Sequence, residues 1–211
     1  MKALVMLLLS AGLVCAVAPA IQAQTVIDEW STAKLPPPPP LKPAKIDPKD
    51  TALLVMDFTK QTCTPEKRKR CADSVAKVAK LVNEARTKGA LIIYTVAVPN
   101  SVAADILPEL APAKDETVLP PLGPDKFLNS DLDWLLKNKS IKTVVAMGTQ
   151  AQTSVLHTGA TAALRGYKVI VPVDGMSADD VFPELYTAWH LANASRIGSN
   201  VTLTKLDMIG F

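Results

Sequence analysis

Histidine and cysteine are scarce in this chain of 211 residues, with two of the first and three of the second. His157 and His190 belong to no close cluster of Asp, Glu or Cys, so no zinc-type ligand set is spelled out and no metal or other cofactor is expected. The glycine-rich signatures that cradle phosphates are missing too. Excess charge is also lacking: 23 Lys and Arg against 20 Asp and Glu give a formal net charge of +3. That is too little to favour nucleic acid or an anionic membrane through a large field. The run Lys67-Arg68-Lys69-Arg70 is local, and reads as a solvated loop or a helix start rather than a polyanion site.

A long apolar run occurs at the N-terminus. Lys2 precedes an apolar stretch from Ala3 to Val17, and Ala18-Pro19-Ala20-Ile21-Gln22-Ala23 ends in a small-x-small pattern. Residues 1–23 therefore read as a secretory signal peptide, because the run is shorter than the roughly 20 residues of a spanning helix. Lipid anchoring through Cys15 is a poorer fit, since Val14 is larger than the small residue expected before the cysteine. Cleavage leaves 188 residues (211 minus 23), the size of one domain, in a periplasmic or secreted protein with no membrane span. Cys63 and Cys71 are then the remaining thiols, and an oxidising compartment tends to close such a pair. A short disulfide loop is predicted.

Residues 24–50 contain five consecutive prolines, Pro36 to Pro40, then Lys42-Pro43. They read as an extended N-terminal arm. From 51 to 211 apolar strands alternate with amphipathic helices. Thr51 to Met56 ends in Asp57, Ala90 to Val96 follows, and Ile141 to Met147, Lys168 to Asp174 and Asn200 to Thr204 complete the longer strands, with a short one near Val118-Leu119. Helices are predicted around Val75 to Ala85, after Asn129-Ser130-Asp131, from Ala178 to Asn193, and directly after Gly148, the last burying Leu156, Ala160, Ala163 and Leu164. Pro99 to Asp125 reads as a long excursion over the strand ends. The pattern is a three-layer α/β domain with helices on both faces of a mainly parallel sheet.

Gly148-Thr149-Gln150-Ala151-Gln152-Thr153-Ser154-Val155 resembles the nucleophile turn of the isochorismatase-like cysteine hydrolases. Leu54-Val55-Met56-Asp57-Phe58 is similar to that family's first strand and catalytic aspartate, and Lys126-Phe127-Leu128-Asn129-Ser130-Asp131-Leu132 to the segment after its catalytic lysine. Gly166 to Asp174 resembles its strand after the nucleophile helix. The resemblance implies a Rossmann-like fold with a six-stranded sheet, a small-molecule substrate and assembly into dimers or tetramers. It also implies a site in which a cysteine thiolate attacks, an aspartate moves protons and a lysine favours the charged species.

Asp57 takes the aspartate's place. No lysine stands in Pro120 to Asp125, where the family has its own, so Lys126 is the candidate from a displaced position, the alternative being an exposed loop lysine. Ser154 stands where the family has cysteine. A thiol is partly ionised at neutral pH, whereas a hydroxyl needs a positioned base. His157, three residues on, is a candidate base or a bystander on the helix flank. Phe58, Phe127, Gly148, Thr149, Gln150 and Thr153, with His157, are the candidate substrate-binding positions. Two function classes stay open. One is a hydrolase of a small amide or vinyl ether through Ser154 or an Asp57-activated water; the other is a binding or assembly protein that has lost the cysteine mechanism. Self-association is expected through Tyr186, Trp189, His190 and Leu191.

Overall fold

The computed structural model describes residues 25–96, 99–121 and 123–211. The predicted signal peptide lies outside them. The chain forms two units, residues 1–36 and 37–211. In the first, a short helix α1, Val26–Glu29, follows Thr25, whose N–H donates to Asp28 Oδ2 at 2.7 Å.

The second unit contains β1 (Ala44–Lys45), β2 (Thr51–Met56), α2 (Pro65–Thr87), β3 (Leu91–Thr95), β4 (Thr117–Leu119), α3 (Leu132–Asn138) and β5 (Thr143–Thr149). A π-helical turn over Ala151–Val155 then leads into α4 (Leu156–Leu164). β6 (Lys168–Pro172), β7 (Met176–Ser177), α5 (Val181–Asn193), β8 (Val201–Thr204) and β9 (Ile209–Gly210) complete it. Six strands lie in the order β4-β3-β2-β5-β6-β8, all parallel. A two-residue β7 is added at the end of β5, so the sheet is one short strand larger than predicted. β1 leaves the proline-rich stretch to pair in parallel with β9.

The strands are unbroken apolar runs because successive side chains point to opposite faces and both faces are covered. Leu53, Val55, Ile92, Tyr94 and Val145 pack with Val75, Val78 and Val82 of α2. Leu54, Met56, Ile93 and Val144 pack on the other face with Leu132 and Leu136 of α3, Ala162 and Ala163 of α4, and Leu191 of α5. Leu164, expected in that core, is exposed. It is the last residue of α4, where the chain turns away toward β6.

Two helices differ in their starts. α2 begins before Cys71, not after it, because Thr64 caps it by accepting from Lys67 N at 3.3 Å and Pro65 fills its first position. α5 begins at Val181, where Asp180 Oδ1 accepts from its N–H at 2.6 Å. The predicted disulfide Cys63–Cys71 is formed. The excursion between β3 and α3 is pinned to α2 by Arg86, which donates to both carboxylate oxygens of Glu116 at 2.7 and 2.9 Å and to Tyr94 Oη at 3.1 Å. No helix among the described residues is long and apolar enough to cross a membrane.

The strand order fixes where chemistry can occur. The chain builds outward from β2 to β3 and β4, then returns to place β5 on β2's other side. Connections leave β2 and β5 in opposite directions, and the crevice between their carboxyl ends is the usual ligand position of such sheets.

Candidate active site

Asp57 is the first residue beyond β2 and has φ 63, a left-handed conformation that aspartate tolerates better than most residues. Its N–H donates to Thr95 O at 3.1 Å, and its carbonyl accepts from Thr59 N at 2.9 Å and Thr62 Oγ1 at 2.5 Å. This tight turn leaves the carboxylate buried at the crevice.

β5 supplies the opposite wall. Gly148 has φ 153, and a Cβ there would lie 2.3 Å from Met56 O, so only glycine lets β5 run this close to the end of β2. The Thr149–Gln150 peptide is cis. Gln150 O then accepts from Val155 N at 3.3 Å, an i to i+5 bond, and from Thr153 N at 3.2 Å. A helix was expected directly after the glycine; the wider turn instead carries Ser154 before α4 begins. Single π turns of this kind recur at functional sites.

Lys126 comes from the loop before α3 and is held from α4. Its N–H donates to Thr158 Oγ1 at 3.1 Å, Thr158 Oγ1 donates to Pro124 O at 3.3 Å, and Asp125 Oδ2 accepts from Thr161 Oγ1 at 2.6 Å. The lysine is 1% exposed.

These elements converge on one carboxylate. Ser154 Oγ donates to Asp57 Oδ2 at 2.6 Å, Lys126 Nζ lies 2.8 Å from the same oxygen, and Thr95 Oγ1 donates to Oδ1 at 2.6 Å. A carboxylate accepts at both oxygens, so hydroxyl, ammonium and hydroxyl are all satisfied in a site closed to bulk water. The arrangement can hold a hydroxyl in one orientation, pass a proton between it and the carboxylate, and present an ammonium to charge developing beside it.

Residues 51–205 match the isochorismatase domain. The chain belongs to the isochorismatase family. Solved structures share its fold. One is an isochorismatase family protein from Desulfovibrio vulgaris, with 21% identity, TM-score 0.68, 75% of this chain and 95% of that one covered. A cysteine hydrolase from Pseudomonas syringae pv. phaseolicola has 23% identity and TM-score 0.67 over 80% and 94%. A nicotinamidase from Staphylococcus aureus has 20% identity and TM-score 0.64 over 73% and 99%.

The remaining candidates separate into four groups. Thr149 and Gln150 stay at the crevice, Thr149 Oγ1 accepting from Arg68 Nη1 at 2.9 Å and Gln150 Nε2 donating to Asp179 Oδ2 at 2.7 Å. Thr153 turns its hydroxyl back to Gln150 O at 3.3 Å. Phe58 and Phe127 are core residues, 1% and 4% exposed; Phe127 packs on Tyr167 at 6.1 Å between ring centres, with Arg165 over its face at 5.2 Å. His157 is exposed, and among the described residues no hydrogen bond joins it to Ser154 or Asp57. Ser154 is buried where His157 is exposed, so the two side chains meet different surroundings.

Thr95, Thr158, Arg68 and Asp179 were not singled out from sequence. Thr95 had one available signal: it ends the strand next to the one ending in Asp57, so parallel pairing brings the two ends together.

Proposed function

We propose that this chain is an exported small-molecule-binding member of the isochorismatase family in which Ser154 replaces the nucleophilic cysteine, so that the usual thiol mechanism is lost while the rest of the site is retained. The observation that carries this reading is the 2.6 Å bond from Ser154 Oγ to Asp57 Oδ2, with Lys126 Nζ 2.8 Å from the same oxygen. With a thiol at position 154, a proton on sulfur passes readily to a neighbouring base. A hydroxyl is far less acidic and remains a hydrogen-bond donor to the carboxylate. The leader and the closed disulfide support a periplasmic or secreted location.

A cleft of about 330 Å³ at the carboxyl ends of β3 and β4, lined by Val96, Val102, Leu119 and Pro120 with Ser101 as a polar group, begins one residue beyond Thr95 without being lined by Asp57, Lys126 or Ser154; it supports room for the apolar part of a ligand beside the centre. The buried, fully hydrogen-bonded Asp57 favours a second reading, an active hydrolase of a small amide or vinyl ether using Ser154 or an Asp57-activated water.

The test is turnover of an amide panel, nicotinamide included, and of a vinyl ether by the mature protein and by Ser154→Cys. The cysteine variant should exceed the wild type by about a hundredfold or more, and the gain should vanish in Ser154→Cys combined with Asp57→Asn. Robust wild-type turnover abolished by Ser154→Ala establishes the second reading instead.

A further inference from the structure

We propose that Arg68 is a positioning residue for the Asp57 and Ser154 pair, held in place by the Cys63–Cys71 disulfide. The proposal rests on reading that pair as the reactive centre. Within the basic run 67–70, Arg68 differs from its neighbours. Lys67, Lys69 and Arg70 are exposed, whereas the Arg68 side chain is 12% exposed. Its backbone leaves the helical conformation, with φ −151 and ψ 81, inside the loop closed by the disulfide.

Three bonds leave its guanidinium, and each leads to the pair. Nη1 donates to Thr62 O at 2.9 Å, and Thr62 Oγ1 donates to Asp57 O. Nη1 also donates to Thr149 Oγ1 at 2.9 Å, next to Gln150, whose carbonyl closes the turn bearing Ser154. Nε donates to Asp179 Oδ1 at 2.8 Å, and the other oxygen of Asp179 holds the Gln150 side chain. One planar fork thus joins the Asp57 turn to the Ser154 turn. An isolated surface ion pair with Asp179 would contribute little; Arg68 reaches Thr62, Thr149 and Asp179 at once from Nη1 and Nε, a spread that a lysine's compact ammonium covers only in part. The disulfide completes the frame. Cys63 N donates to Thr59 O at 2.8 Å, and the bond to Cys71 fixes that turn against α2 on either side of Arg68.

The introduced thiol of Ser154→Cys would be the one free thiol of the oxidised mature chain, and its ultraviolet thiolate absorbance can be titrated without reagent access. The midpoint is set by Lys126, which favours the thiolate, against burial and the Asp57 carboxylate 2.6 Å from the hydroxyl it replaces, which oppose it, and is read against the ordinary value of about 8.5. Arg68→Gln, and separately Cys63→Ser with Cys71→Ser, should displace it by about one pH unit, a tenfold change in ionisation. Arg68→Lys should recover part of the difference. Asp179→Asn, on a carboxylate 62% exposed, should give a smaller displacement and serves where Arg68→Gln does not fold. A purely structural role lowers the melting temperature and leaves the midpoint in place. An unmoved midpoint in folded Arg68→Gln, or in Asp179→Asn in its stead, overturns the proposal. The titration requires no turnover, so an inactive Ser154→Cys protein counts against the hydrolase site and not against the clamp.

Discussion

Lys126 and Asp57 are 1% and 0% exposed, and at that depth each charge depends on the other. Burial of a charged pair is tolerable when geometry and added hydrogen bonds are good, but removal of one partner strands the other. Asp57→Asn leaves the ammonium opposite a neutral amide. Urea unfolding at neutral pH should show a loss of about 3–5 kcal/mol, against about 1.5–3 kcal/mol for Thr95→Val, which removes one neutral donor to the carboxylate. Asp57 and Ser154 were legible in the sequence because a strand end and a glycine turn announce themselves through apolar runs. Thr95 was not, since a β-branched residue at a strand end looks like any strand residue. Lys126 was visible as a lysine beside a motif; its burial was not, because that depends on Thr158 and Thr161 in a helix more than thirty positions later. His157 stood in the sequence as a base or a bystander, and spacing alone did not choose between them; it is exposed while Ser154 is buried.

Strands were read closely from sequence, being runs whose two covered faces leave few polar positions. Helix starts were not, since caps such as Thr64 and Asp180 are single polar residues that look the same in loops. Contacts between helices were also out of view. Asp133 on α3 accepts from Lys137 Nζ and Arg165 Nη1 at 2.8 Å and from Tyr167 Oη at 2.9 Å, tying α3 to the end of α4. The Lys137 bond outweighs the opposing effect of burial, and with Tyr167 and Arg165 it holds the Asp133 carboxyl below its ordinary value of 3.8. The folded value is lower than the unfolded one, so this contribution is complete above the unfolded value and lost as pH falls through the folded one. Asp133→Asn should therefore be less stable than wild type at neutral pH, and the gap should narrow steadily below about pH 4. Urea midpoints across an acid series read this directly; a gap that stays constant rules it out.

For the whole molecule, α5 presents Phe182, Leu185, Tyr186 and Trp189, all at least 39% exposed, at the spacing of one helical face. An apolar stripe of this kind is the compositional mark of an interface centre, and we propose that copies of the chain associate through it. Light scattering at micromolar concentration should give a dimer or larger, shifting toward monomer in Phe182→Ser with Trp189→Ser; a wild-type monomer refutes it. Tyr186 and Trp189 announced this face by their size and aromaticity, but only the structure separates them from Leu191, which is buried. A different property follows from the pairing of β1 with β9. Ala44 meets Ile209 across 165 positions (209 minus 44), and two residues of ladder must hold closed a ring of chain containing almost the whole domain. Closure of so large a ring is entropically late in folding, and so short a ladder opens before the sheet does. The front of the domain is thus a seam sealed last and parted first, where amide exchange at Ile46, bonded to Gly210 O, runs ahead of exchange anywhere in β2.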